Sequence, residues 1–163
     1  MTDLRVAVDR LADDPDVTGV WLAGASLGGT LAICHAAADE RVRGVATLGA
    51  MASVRTWAKE GRSFLAHCRE IGLIKDDDYP PDADEWIREL AELDPLAAAA
   101  RLAPRPLMIL HGSDDDVVPV AAARALAAAY PEAELRVIAQ GGHRLRHDPR
   151  ALALLLGWIA RQV

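Results

Sequence analysis

Cysteine is nearly missing from this chain of 163 residues: only Cys34 and Cys68 occur. Their spacing suits neither a disulfide framework nor a thiolate metal site, and a reducing, cytoplasmic setting is the expectation. Cys34 falls inside the apolar stretch Leu31–Ala38 and reads as a small core residue. An excess of basic charge is also lacking. Lys and Arg number 18 against 24 Asp and Glu, a formal net charge of −6. With no basic stripe, nucleic acid and an anionic membrane surface are poor candidate partners. The one local cluster, Arg144, Arg146 and Arg150, lies in the last fifth of the chain. No basic-then-apolar leader and no run of 18 apolar residues is seen, so neither a signal peptide nor a membrane span is expected. Internal repeats and low-complexity tracts are lacking too.

What is present is an ordinary globular composition, 52% hydrophobic, of a length that suits one domain. The chain alternates. Apolar positions 4, 8 and 11 recur at helical spacing over Leu4–Ala12. A strand is expected at Gly19–Ala23, a helix at Leu27–Ala38 and a strand at Gly44–Gly49. After an interruption come a short helix at Pro95–Leu102, a strand at Leu107–Leu110, a helix at Val120–Tyr130, a strand at Leu135–Ala139 and a last helix from Pro149 to Gln162. Asp148-Pro149 supplies a cap followed by a proline at the first helical position. Near-continuously apolar strands separated by helices imply an α/β fold. Its parallel sheet, of about four strands flanked by helices, is doubly wound with right-handed crossovers. The interruption, about residues 52–94, reads as helices over Val54–Ile71, broken at Gly61, and Asp82–Leu93, with the acidic loop Lys75–Asp82 between them. It holds four of the seven aromatics: Trp57, Phe64, Tyr79 and Trp86. Trp57, Phe64 and Trp86 read as core.

Three segments carry chemistry. Gly24-Ala25-Ser26-Leu27-Gly28 follows one apolar run and opens a helix. A tight strand-to-helix turn of this kind pushes a serine Oγ out at the carboxyl end of a sheet and aims the next N–H, that of Leu27, at the same point. The run Pro106–His111 leads into Gly112-Ser-Asp-Asp-Asp-Val-Val-Pro119, and Leu135–Ala139 leads into Gln140-Gly-Gly-His143. A serine, an acid and a histidine thus each lie just past a strand, where open α/β sheets collect their ligands. Each also has a plainer reading. Ser26 could cap a helix, and the aspartates could cap the following turn. Gly28 and Gly29 read as close packing of helix on sheet, and Gly141-Gly142 as freedom for the loop. His111 ends a strand and reads as a hydrogen bond shaping the acid's turn. His147 reads as a surface residue. His35 and His67 have no partner pattern.

In these three segments the sequence resembles the α/β-hydrolase superfamily, whose serine, acid and histidine follow one another in this order. The resemblance implies Ser26 as nucleophile, His143 as general base, and Leu27 N–H as an oxyanion donor. The family's His-Gly-x-x-Asp-x-x-Val-Pro pattern falls on Asp115, with Asp114 and Asp116 as the competing acids. It implies a serine hydrolase acting on a small acyl substrate (an ester, thioester or amide, with an ester the least demanding) and needing no cofactor or metal. The insertion sits where the family carries a helical cap within the single domain. By this resemblance the 163 residues correspond to the C-terminal half of that fold, without its N-terminal strands. In complete members a further strand and a His-Gly loop supply the second oxyanion donor; here one helix precedes Val20. The apolar strand Val20-Trp-Leu22 is therefore expected at an edge, where another chain could pair with it. Three readings of this follow: a truncated enzyme whose Met1 is an internal start, a self-associating half-domain, or one half of a two-chain protein. An inert assembly or binding module is the alternative to an enzyme.

Overall fold

Four strands, β1 (Val20–Ala25), β2 (Val42–Leu48), β3 (Leu107–Gly112) and β4 (Glu134–Ile138), form one sheet in the order β1-β2-β3-β4 in the computed structural model, which describes residues 2–70, 72 and 74–162. Every neighbouring pair is parallel. Strand order runs in sequence order, so the reversal that marks a doubly wound sheet does not fall among the described strands. Helices α1 (Thr2–Ala12) and α2 (Leu27–Ala38) flank β1 along the chain; α6 (Pro95–Arg101) and α7 (Ala121–Ala129) flank β3; α8 (Pro149–Ala160) ends the chain. The α2 helix packs on α6, and α6 on α7, making one layer. The α8 helix packs against β3.

The alternation of strand side chains divides the core between these layers. Ala46 and Leu48 of β2, Met108 and Leu110 of β3, and Ile138 of β4 cluster with Ala151 and Trp158 of α8. Both faces of β2 and β3 are buried, hence their unbroken apolar runs. The β4 strand departs from that expectation. Arg136 and Val137 are exposed, and Glu134 is paired with Arg136 and Arg161, both at 2.9 Å. Charges of this kind discourage further strand pairing at an edge. At the other end of the sheet, a bulge between Val20 and Trp21 puts Trp21 opposite Gly44. A Cβ on Gly44 would run into the Trp21 ring. The glycine makes room for an indole that meets Trp158 edge-on, with ring centroids 5.6 Å apart and planes at 85°.

Residues Ser53–Asp94 form a compact unit of their own, separate from the unit of 1–52 and 95–163 that holds the sheet. It contains α3 (Arg55–Lys59), α4 (Gly61–Glu70) and α5 (Ala83–Glu92). The break between the first two falls at Glu60, one residue before the expected Gly61; Ile71 lies outside the described residues. Gly61 sits where a Cβ would meet the Ile87 side chain at about 2.5 Å, so it lets α4 start close to α5. Asp82 caps α5, accepting from the N–H groups of Asp84 and Glu85 at 2.9 Å. Inside this unit Phe64 packs edge-on to Trp57 at 4.6 Å and stacks with Trp86 at 6.0 Å. Among the described residues no helix is long and apolar enough to cross a membrane. Cys34 and Cys68 are both buried.

Candidate active site

Ser26 occupies the single residue between β1 and α2. Its φ of 52° and ψ of −128° are unusual for a residue with a Cβ and cost of order 1–3 kcal/mol. Two contacts hold the turn. Ser26 N–H donates to Leu48 O at 2.9 Å, and the Thr30 hydroxyl accepts from Met51 N–H at 3.0 Å, tying α2 to the loop after β2. Close approach of strand and helix requires two glycines. A Cβ on Gly24 would collide with the Gly28 carbonyl, and one on Gly29 would lie 2.8 Å from Gly24 O. Gly28 itself meets nothing within 4 Å, so the packing role expected of it belongs to Gly24 and Gly29.

The Ser26 side chain makes no capping bond to α2. Its Oγ lies 2.9 Å from His143 Nε2 instead. The other ring nitrogen, Nδ1, lies 2.9 and 3.0 Å from the two oxygens of Asp115. The structure therefore brings Ser26, His143 and Asp115 into one hydrogen-bonded line at the carboxyl ends of β1, β4 and β3. Of the competing acids, Asp114 accepts from the Ser113 hydroxyl at 2.6 Å, and Asp116 is exposed with no bond to His143. The His35 and His67 rings have partners that the sequence did not suggest: Asp39 at 3.5 Å, one turn on, and Glu70 at 3.6 Å. His147 is exposed on a short 3-10 turn, Leu145–His147.

The acid is buried and kept ionised. Burial by itself would raise the Asp115 carboxyl. The Val118 N–H at 2.8 Å, the His143 ring and the Val117 N–H at 3.0 Å more than offset it and hold the group below its ordinary value. The acid and histidine loops are stitched together. Ser113 N–H donates to Ile138 O and Asp114 N–H to Gly141 O, each at 2.9 Å; Gln140 N–H donates to Ser113 Oγ at 2.8 Å. Gly141 is there for packing rather than freedom: a Cβ would lie 3.1 Å from Gly112 Cα, whereas Gly142 is open. Gly49 is a residue that sequence reasoning missed. Its φ is +66°, and a Cβ there would lie 3.3 Å from Asp115 Oδ2 and 3.4 Å from His143 Nδ1. A glycine directly after the last residue of an apolar strand, at the sheet's carboxyl rim, was the available signal. The Leu27 N–H opens α2 with no acceptor among the described residues, at the positive end of the helix.

A serine on a strand–helix turn, with an acid and a histidine carried past two further parallel strands, defines the α/β-hydrolase class. Within that class, the sequence matches the prolyl oligopeptidase family over residues 1–163, and the chain belongs to that family. Solved structures agree on the fold. The chain superposes on Est1E from Butyrivibrio proteoclasticus with a TM-score of 0.70 at 22% identity, covering 98% of this chain and 69% of that one. It superposes on the esterase domain of a Rhodothermus marinus protein with a TM-score of 0.69 at 21% identity, covering 98% and 68%. It also superposes on MGS-MChE2, an α/β-hydrolase enzyme from a lagoon-sediment metagenome, with a TM-score of 0.68 at 21% identity, covering 99% and 68%. No curated protein matches the sequence.

Proposed function

We propose that this chain carries the catalytic residues of a serine acyl hydrolase that works through a Ser26 acyl-enzyme. The observation that supports it most is the 2.9 Å separation of Ser26 Oγ and His143 Nε2, with Asp115 on the far side of the ring. In the proposed reaction Ser26 Oγ attacks the acyl carbon while its proton passes to His143 Nε2. The Leu27 N–H donates to the developing oxyanion. Collapse breaks the bond to the leaving group, which takes the proton from His143. A water then gives a proton to the same nitrogen and attacks the acyl carbon; the bond to Ser26 Oγ breaks, Oγ takes the proton back from His143, and the carboxylic acid leaves. Asp115 stays charged throughout, fixing the tautomer and opposing the charge that forms on the imidazole.

The substrate is a carboxylic ester in this reading. The family membership favours a second reading, a peptide or amide bond, on the same residues. A fluorophosphonate probe tests the shared mechanism. Labelling of the chain, abolished in Ser26→Ala, is the expected result; absence of Ser26-dependent labelling makes the fold an inert module. Release of p-nitrophenol from acyl esters, compared with release of p-nitroaniline from peptidyl anilides, then separates the two substrates.

A further inference from the structure

His111 is the penultimate residue of β3, is completely buried, and takes no direct part in the acyl-transfer steps. Its Nε2 lies 2.8 Å from Val118 O and 3.3 Å from Asp115 Oδ2. Its Nδ1 is buried and meets no hydrogen-bond partner among the described residues. A carbonyl oxygen only accepts, so the short contact with Val118 requires a proton on Nε2. A proton on Nδ1 would be stranded without an acceptor, at the cost of an unmade buried hydrogen bond. The two observations select one tautomer. They put an N–H nitrogen beside the Asp115 oxygen that also receives His143 Nδ1 at 2.9 Å.

We infer that His111 is a positioning residue for Asp115: its Nε2–H anchors the Val118 carbonyl and faces Oδ2, fixing the carboxylate where His143 needs it. This rests on the serine-hydrolase reading above. Besides His143, four residues surround the same carboxylate. The Val117 and Val118 N–H groups hold Oδ1, while His111 stands behind Oδ2 and Gly49 leaves space beside it. Val118 is bonded from both sides, its N–H to Asp115 and its carbonyl to His111. The turn Asp115–Val118 is thereby closed into one unit with the end of β3. A carboxylate free to rotate would lose its paired contact with Nδ1, and with it the alignment of Nε2 on Ser26.

Two measurements on the full chain test this. Ring nitrogen NMR of the wild type should show His111 protonated on Nε2 and bare on Nδ1; a proton on Nδ1 overturns the inference. The second compares His111→Gln, whose amide nitrogen reaches as far from the backbone as Nε2, with His111→Leu, which has no donor. The leucine variant should lose about tenfold to a hundredfold in kcat, the size expected when a supporting contact is lost and the Asp115 carboxylate is displaced, with KM unchanged. The glutamine variant should recover most of it. Full activity in the leucine variant, or equal loss in both, overturns the inference. If the leucine variant does not fold, the glutamine variant's kcat and the wild-type tautomer decide. If the wild type shows no Ser26-dependent labelling, the hydrolase reading fails, and the tautomer alone still decides whether His111 holds the turn.

Discussion

Asp115 shows how much of a buried charge is settled by backbone. Two N–H groups from the turn that follows it accept the cost of desolvation jointly with His143. Those N–H groups hold Oδ1, and Gly49, with no side chain, leaves room beside Oδ2. Gly49→Ala combines two penalties, a left-handed φ of +66° and a methyl 3.3–3.4 Å from the Asp115–His143 pair. The expected outcome is a loss of about 1–2 kcal/mol in stability from the backbone alone. A roughly tenfold lower kcat should follow, as the pair shifts by tenths of an ångström. Urea unfolding and steady-state kinetics check the two parts separately. Ser26, Asp115 and His143, which the structure brings into one hydrogen-bonded line, were legible in the sequence because each follows an apolar run. Gly49 follows one too, but a glycine carries no side chain to announce a role. Its importance comes from a neighbour 66 residues away, which no local pattern encodes.

At the level of elements, boundaries follow local chemistry and close approaches do not. Asp148 accepts from Arg150 N–H at 2.9 Å and Pro149 stands first in α8, so that helix starts where its sequence says. The β1 strand runs two residues past the expected Ala23, because Gly24 and Ala25 pair with Thr47 and Leu48 before the chain turns. The close approach of Gly112 to Gly141 was hidden for a related reason: it brings the end of β3 against the loop after β4 through backbone alone. A Cβ on Gly112 would collide with Gly141 O, while one on Gly142 would meet nothing within 4 Å. Gly112→Ala should therefore cost about 1–3 kcal/mol by overpacking and lower Tm by several degrees. Gly142→Ala serves as the control and should leave Tm close to that of the wild type. Equal melting curves for the two variants, by circular dichroism, would mean that the loops part easily and that the close contact is not what fixes them.

Over the whole molecule, fold class was legible because alternation of apolar runs and helices admits few arrangements. The monotonic strand order was not, since strand neighbours are chosen by tertiary packing. Charge acts at the same scale. Beneath a net charge of −6, carboxylates are held by arginines at the joints between elements. Arg41 reaches Asp39 at 2.7 Å and Asp9 at 2.6 Å, joining α1 to the start of β2; Arg150 reaches Asp148 at 2.7 Å at the head of α8. The Arg41 guanidinium, first among its neighbours, holds Asp39 at about 2, and Arg150 does the same for Asp148. Both carboxyls would return toward 3.8 in the unfolded chain. Groups lowered in the folded state stabilise it above their unfolded value and cease to do so as pH falls through the folded one. Stability to urea should therefore be insensitive to these groups from pH 7 down to about 4, then decline between about pH 4 and 2. Arg41→Ala should reduce stability at pH 7 and flatten the acid decline. Added salt should narrow the gap between variant and wild type, since the arginine side chain is 44% exposed. An Arg41→Ala variant that keeps the full wild-type decline at pH 4 to 2 would shift the source of acid sensitivity from the Arg41 joint to Asp148 or the buried Asp115.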